Sequence, residues 1–72
     1  MNSHLSKTEY RIMEYFWSTG GKYTFGELMK YFNEEEDKNW KKQTLNTFLS
    51  RLIDKGLLER KKKRQRHIMG LH

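Results

Sequence analysis

Residues 40–56 constrain the fold more than any other stretch of the chain. Leu45, Phe48, Leu49, Leu52 and Ile53 recur at the i, i+3, i+4, i+7 spacing of one helix face. At about 100° per residue, Gln43, Asn46, Thr47, Ser50 and Asp54 fall on the opposite face. Lys41 and Lys42 lie at the N-terminal end, and Gly56 supplies a left-handed stop. The spacing predicts a helix over 41–55 that buries one side and shows water a row of short amides and hydroxyls. Side chains of that kind can read base edges in a DNA major groove. An ordinary surface helix has the same two faces, so the stretch does not decide the matter alone.

The residues after this helix tilt the balance. Leu57 and Leu58 lead into Glu59, Arg60, Lys61, Lys62, Lys63, Arg64, Gln65 and Arg66, then His67, Ile68 and Met69. A helix that ends in Lys55-Gly56-Leu57-Leu58 and runs into a basic hairpin is the pattern of a winged helix-turn-helix. That fold is mainly α (α+β), with three helices and a two- to three-stranded wing sheet. The strands are expected at 57–62 and 66–70, with Lys63, Arg64 and Gln65 as the tip and Leu58 and Ile68 facing inward. Six of the eight residues 59–66 are basic, more than solubility of an exposed turn requires, and phosphate contact accounts for them.

Ahead of this unit the chain carries two helix-start signals. Ser6 and Glu9 fit a capping box, with Leu5 placed to staple onto Tyr10; Thr24 and Glu27 fit another. The first helix is expected to run to about Ser18, with Tyr10, Met13 and Trp17 as its core line, and to end at Gly20 and Gly21. Residues 1–5 are expected to be a loose lead-in. Lys22 and Tyr23 form a short extended bridge toward the hairpin, and the second helix carries Phe25, Leu28, Met29 and Phe32 on one face. Gly26 lies inside it, at a cost of about 1 kcal/mol relative to Ala. Residues 33–39 are a charge run, read as a solvated helix end and turn or as an acidic rear that orients the molecule. Trp40 closes the turn as a core plug that pins the third helix against the first.

Seventy-two residues make one small domain over 1–72. The net charge of +6 is unevenly spread: residues 1–37 sum to −3 and residues 38–72 to +9. The positive half coincides with the expected recognition helix and hairpin, so a polyanionic partner is the natural inference. Cysteine is absent, which excludes disulfides, zinc ribbons and thiolate copper sites. No apolar run approaches 18 residues, so no membrane span is expected, and a cytoplasmic protein is the default. Nothing suggests an enzyme or a cofactor. There is no Gly-rich phosphate loop or nucleophile elbow, and His4, His67 and His72 are too scattered for a metal site.

The motifs carry a resemblance. Leu5, Ser6, Glu9, Tyr10, Ile12, Met13 and Trp17 form one run, and Trp40, Thr44, Thr47, Phe48, Leu49, Arg51, Leu52, Lys55, Gly56 and Leu57 form a second, aligned without a gap. Both resemble the DNA-binding domain of the bacterial penicillinase-repressor family, which also holds methicillin-resistance regulators and copper-responsive repressors. Tyr10 stands where that family usually has Trp. The turn before Trp40 is longer than usual, and residues 67–70 lack the family's aromatics. The copper branch uses a cysteine cluster, so this segment is not expected to sense copper.

The resemblance implies a dimeric repressor on dyad-symmetric operators. By position, Gln43, Thr44, Asn46 and Thr47 lie in or against the major groove, and Arg51 lies near the backbone. Lys41, Lys42 and Ser50 complete the helix contacts, and Arg60, Lys61, Lys62, Lys63, Arg64 and Arg66 supply phosphate contacts from the wing. Gln43 or Asn46 can pair with adenine and Thr44 or Thr47 can touch a thymine methyl, so an A·T-containing half-site of double-stranded DNA is expected. The family's C-terminal dimerisation segment is absent from residues 1–72. A homodimer is therefore expected of a full-length protein, and a mostly monomeric, weakly binding domain of these residues. The alternative is a winged-helix interaction module that binds an acidic protein. An RNA-binding domain is less favoured, because no exposed aromatic platform for stacking bases is apparent.

Overall fold

The computed structural model describes residues 5–72. The expected lead-in, Leu5 apart, and His4 lie outside the described residues. Three helices and a small antiparallel sheet run in the order α1 (Lys7–Thr19), β1 (Tyr23–Thr24), α2 (Phe25–Lys30), α3 (Lys42–Asp54), β2 (Leu58–Lys63) and β3 (Arg66–Leu71). A π-helical turn, Tyr31–Glu35, extends α2. The sheet order is β1-β3-β2, so the short bridge pairs with the last strand and the fold is a winged helix.

Local signals start and stop these elements as expected. The Ser6 hydroxyl accepts the Glu9 amide at 3.2 Å, and the Glu9 carboxylate accepts the Ser6 amide at 2.9 Å. Thr24 and Glu27 repeat the arrangement at 3.2 and 2.8 Å. Gly20 caps α1 with φ +64°. At the end of α3, the Gly56 amide (φ +79°) bonds the Ile53 carbonyl and the Leu57 amide bonds Leu52, both at 3.0 Å. That pair of bonds is a Schellman stop, which a left-handed glycine makes easy.

The core is Ile12, Met13 and Phe16 from α1, Leu28 and Phe32 from α2 and its extension, Leu45, Leu49 and Leu52 from α3, and Leu58 and Met69 from the sheet. The core line of α1 therefore differs from the expected one. Met13 is buried, but Tyr10 and Trp17 are 50% and 48% exposed and pack edge to face on each other, their centroids 5.7 Å apart. The true stripe is Glu9, Ile12, Met13 and Phe16, which has the same helical spacing but carries a carboxylate. Lys55 explains that carboxylate: its Nζ lies 3.0 and 3.1 Å from the two Glu9 oxygens and ties the start of α1 to the end of α3. Burial alone would raise the Glu9 pKa. The Ser6 amide and the Lys55 ammonium outweigh it and hold the carboxyl below its ordinary value.

The turn into α3 is held by side chains. Asn33 accepts the Trp40 amide at 2.6 Å and donates to the Trp40 carbonyl at 2.9 Å. The Trp40 ring packs between Phe32 and Phe48, at 5.1 and 5.8 Å. Trp40 is thus half-buried and pins α3 to the extension of α2 rather than to α1. In the charge run, Glu34, Glu35 and Asp37 are exposed as expected. Glu36 is not: it pairs with Arg11 and accepts the Tyr31 hydroxyl at 2.9 Å.

Candidate nucleic-acid interface

α3 begins differently from the other helices. Lys41 is its N-cap, with φ −84° and ψ 160°, and no side chain caps the first turn. Its first N–H groups are therefore left to water or to an anion. No acidic residue lies in that turn, where the helix dipole favours one; Lys41 and Lys42 stand there instead. Lys41, Lys42, Gln43, Thr44, Asn46, Thr47 and Arg51 are all exposed, and Ser50 is half-buried. The Thr47 hydroxyl donates to the Gln43 carbonyl at 2.9 Å, which leaves its methyl group as the free end.

The hairpin presents its cations on two faces. Leu58 pairs with Leu71, Arg60 with Met69 and Lys62 with His67, and these pairs share the face turned to the core and α3. Glu59, Lys61, Lys63, Arg66, Ile68 and Gly70 belong to the other face. Met69, not Ile68, is therefore the inward residue of β3. The reason is the turn, which has two residues, Arg64 and Gln65, instead of the expected three, and this shifts the pairing by one. Arg64 adopts φ +60° to make it. Arg60, Lys61, Lys62, Lys63, Arg64 and Arg66 are all exposed.

Between α3 and the hairpin lies an open groove of about 470 Å³. Lys42, Gln43 and Asn46 form one wall and Arg60 and His67 the other, while Phe25, Leu49 and Met69 lie beneath. The structure thus brings Lys42, Gln43, Asn46 and Arg60 together. Lys61 and Lys63 instead border a second hollow with Lys22 on the outer face of the sheet, and Lys62, on the edge strand, also reaches it. Lys41, Thr44, Thr47, Ser50 and Arg51 continue the helix surface without lining the groove. Sequence reasoning missed His67, Phe25 and Met69. The strand alternation that puts Arg60 inside would have found His67 and Met69, given the two-residue turn.

The arrangement offers exposed cations, amide donors and acceptors, and uncapped backbone amides along one side of the molecule. No helix among the described residues is long and apolar enough to cross a membrane. A family model described as penicillinase repressor matches residues 5–69. No curated protein and no solved structure matches the chain.

Proposed function

The chain belongs to the penicillinase-repressor family, whose members are DNA-binding repressors of transcription, and from that membership we propose that α3 reads an operator half-site while the hairpin holds the flanking phosphates. The observation that carries the reading is the shared groove: Lys42, Gln43 and Asn46 of α3 face Arg60 and His67 of the hairpin across one opening. A helix of 13 residues is about 20 Å long, enough to lie along a major groove.

Gln43 or Asn46 pairs bidentately with adenine, and Thr44 or Thr47 meets a thymine methyl. An A·T-containing half-site follows from these side chains. Lys41, Lys42 and the uncapped amides of α3 hold one phosphate at the helix start, where the dipole adds to the attraction. Ser50 and Arg51 flank the base-reading row. Arg60, Lys61, Lys62, Lys63, Arg64 and Arg66 contact phosphates from the wing, which sets register rather than sequence. The domain is a single unit that reads one half-site. Two linked copies on a dyad operator bind more tightly, because the second contact is made at high effective concentration.

The test is an amide-shift titration of isotope-labelled protein with a short random duplex at two salt concentrations. Shifts concentrated at residues 41–51 and 60–66, weaker at the higher salt, support the reading and open the search for an operator. Shifts that are absent, or spread evenly over the surface, overturn it in favour of an acidic protein partner.

A further inference from the structure

His67 stands in a position that the proposed DNA contacts leave unused. It is exposed and lines the groove between α3 and the hairpin. Two cations line the groove with it: Arg60 lies on the adjacent strand on the same face, and Lys42 stands on the opposite wall. Lys62, its direct cross-strand neighbour by register, reaches the hollow on the outer face. Arg66 is its chain neighbour, on the other face of β3. The other groups that line the groove, Gln43, Asn46, Phe25, Leu49 and Met69, carry no charge. Glu59, the nearest carboxylate in the hairpin sequence, belongs to the outer face by register. The imidazole therefore sits among positive charges with no carboxylate in the groove to compensate them.

From this geometry we infer that His67 is a proton-linked phosphate contact: DNA entering the groove takes up one proton at this imidazole, so affinity for duplex rises as the pH falls through the histidine range. The inference rests on the proposed DNA-binding reading and adds a residue and a regulation to it. A phosphate placed in the groove favours the imidazolium, which can then donate from both ring nitrogens. The proton comes from solvent, and by linkage the uptake of one proton on binding limits the slope of log affinity against pH to one decade per unit.

The experiment is duplex binding to the full 72-residue chain at constant ionic strength, from pH 8 to pH 5.5, a window above the carboxylate range. Affinity for a random duplex is expected to rise by about three- to tenfold toward pH 5.5. Its dependence on log salt is expected to steepen by up to about one unit over the same range, since one more cation then displaces a counterion. His67→Gln is expected to lose the rise and the steepening. His72→Gln, at the exposed end of the chain, is expected to keep both. Binding that is independent of pH in the native chain, or a rise that survives His67→Gln, overturns the inference while leaving DNA binding intact. Failure of the native chain to bind duplex at any pH overturns the DNA-binding reading itself, so the two failures are distinguishable.

Discussion

Glu9 and Asn46 stand at two extremes among the side chains of this molecule, one buried and paired, the other exposed on the groove wall. Glu9 is the one buried charged residue among those described, 3% exposed. It satisfies the Ser6 amide and the Lys55 ammonium at once. Its pKa in the folded state is depressed, so its contribution to stability is present above the ordinary carboxylate value and is lost as the pH falls through the lowered one. Glu9→Gln is expected to destabilise the fold by about 1–3 kcal/mol near neutral pH, and the gap between variant and native chain is expected to narrow on acidification. Urea unfolding at pH 7 and at about pH 3 checks both points; a gap that stays constant with pH would show that the pair does not titrate as described. Asn46 has no such structural duty: it is exposed on the groove wall. Asn46→Ala is expected to leave stability unchanged and to cost about 1–3 kcal/mol on a cognate site. Competition between cognate and random duplexes checks this, since equal losses on both would remove the base-reading role.

At the scale of elements, the shortest α-helix is α2, six residues long with Gly26 in its first turn. Apart from its chain neighbours and its own helix backbone, a Cβ at that position meets no atom within 4 Å. Gly26→Ala is therefore expected to stabilise the domain by about 0.5–1 kcal/mol, raising Tm by a few degrees, and thermal unfolding measures it. The boundaries of the elements were legible because their signals are local: both capping boxes and the Gly56 stop are written within a few residues of where they act. The faces were less so. In α1, Tyr10, Met13 and Trp17 and the true stripe of Glu9, Ile12, Met13 and Phe16 both have helical spacing. The charge of Glu9 disguised the second, because its partner Lys55 is 46 residues away. In the hairpin, a one-residue difference in turn length exchanges Ile68 for Met69 and hides His67. No glycine or asparagine announces the two-residue turn, since Arg64 takes the left-handed position. The exposed row of α3 was legible from periodicity alone. Its orientation was not, because that depends on the clamp of Asn33 on both backbone groups of Trp40.

For the whole molecule, the division of charge matters more than its sum. The half that holds α1 and α2 is net negative, and the half that holds α3 and the wing is strongly positive. Approach to a polyanion is thereby steered to one side. Each phosphate neutralised adds roughly 0.9 to the slope of log affinity against log salt, so a surface with this many cations has a steep salt dependence. Lys62 stands on the edge strand, on the face of Arg60, with its side chain exposed and no carboxylate bonded to it among the described residues. Lys62→Ala is expected to weaken cognate and random duplexes by the same factor and to flatten the salt slope by about one unit. Lys7→Ala, at the start of α1 in the negative half, is expected to change neither. Binding isotherms at four or more salt concentrations separate the two variants. If Lys62→Ala altered the ratio of cognate to random affinity, the wing would be reading sequence and not merely holding the backbone. If Lys7→Ala flattened the slope as much, the attraction would belong to net charge alone, and the division of charge between the two halves would have no part in directing DNA to α3.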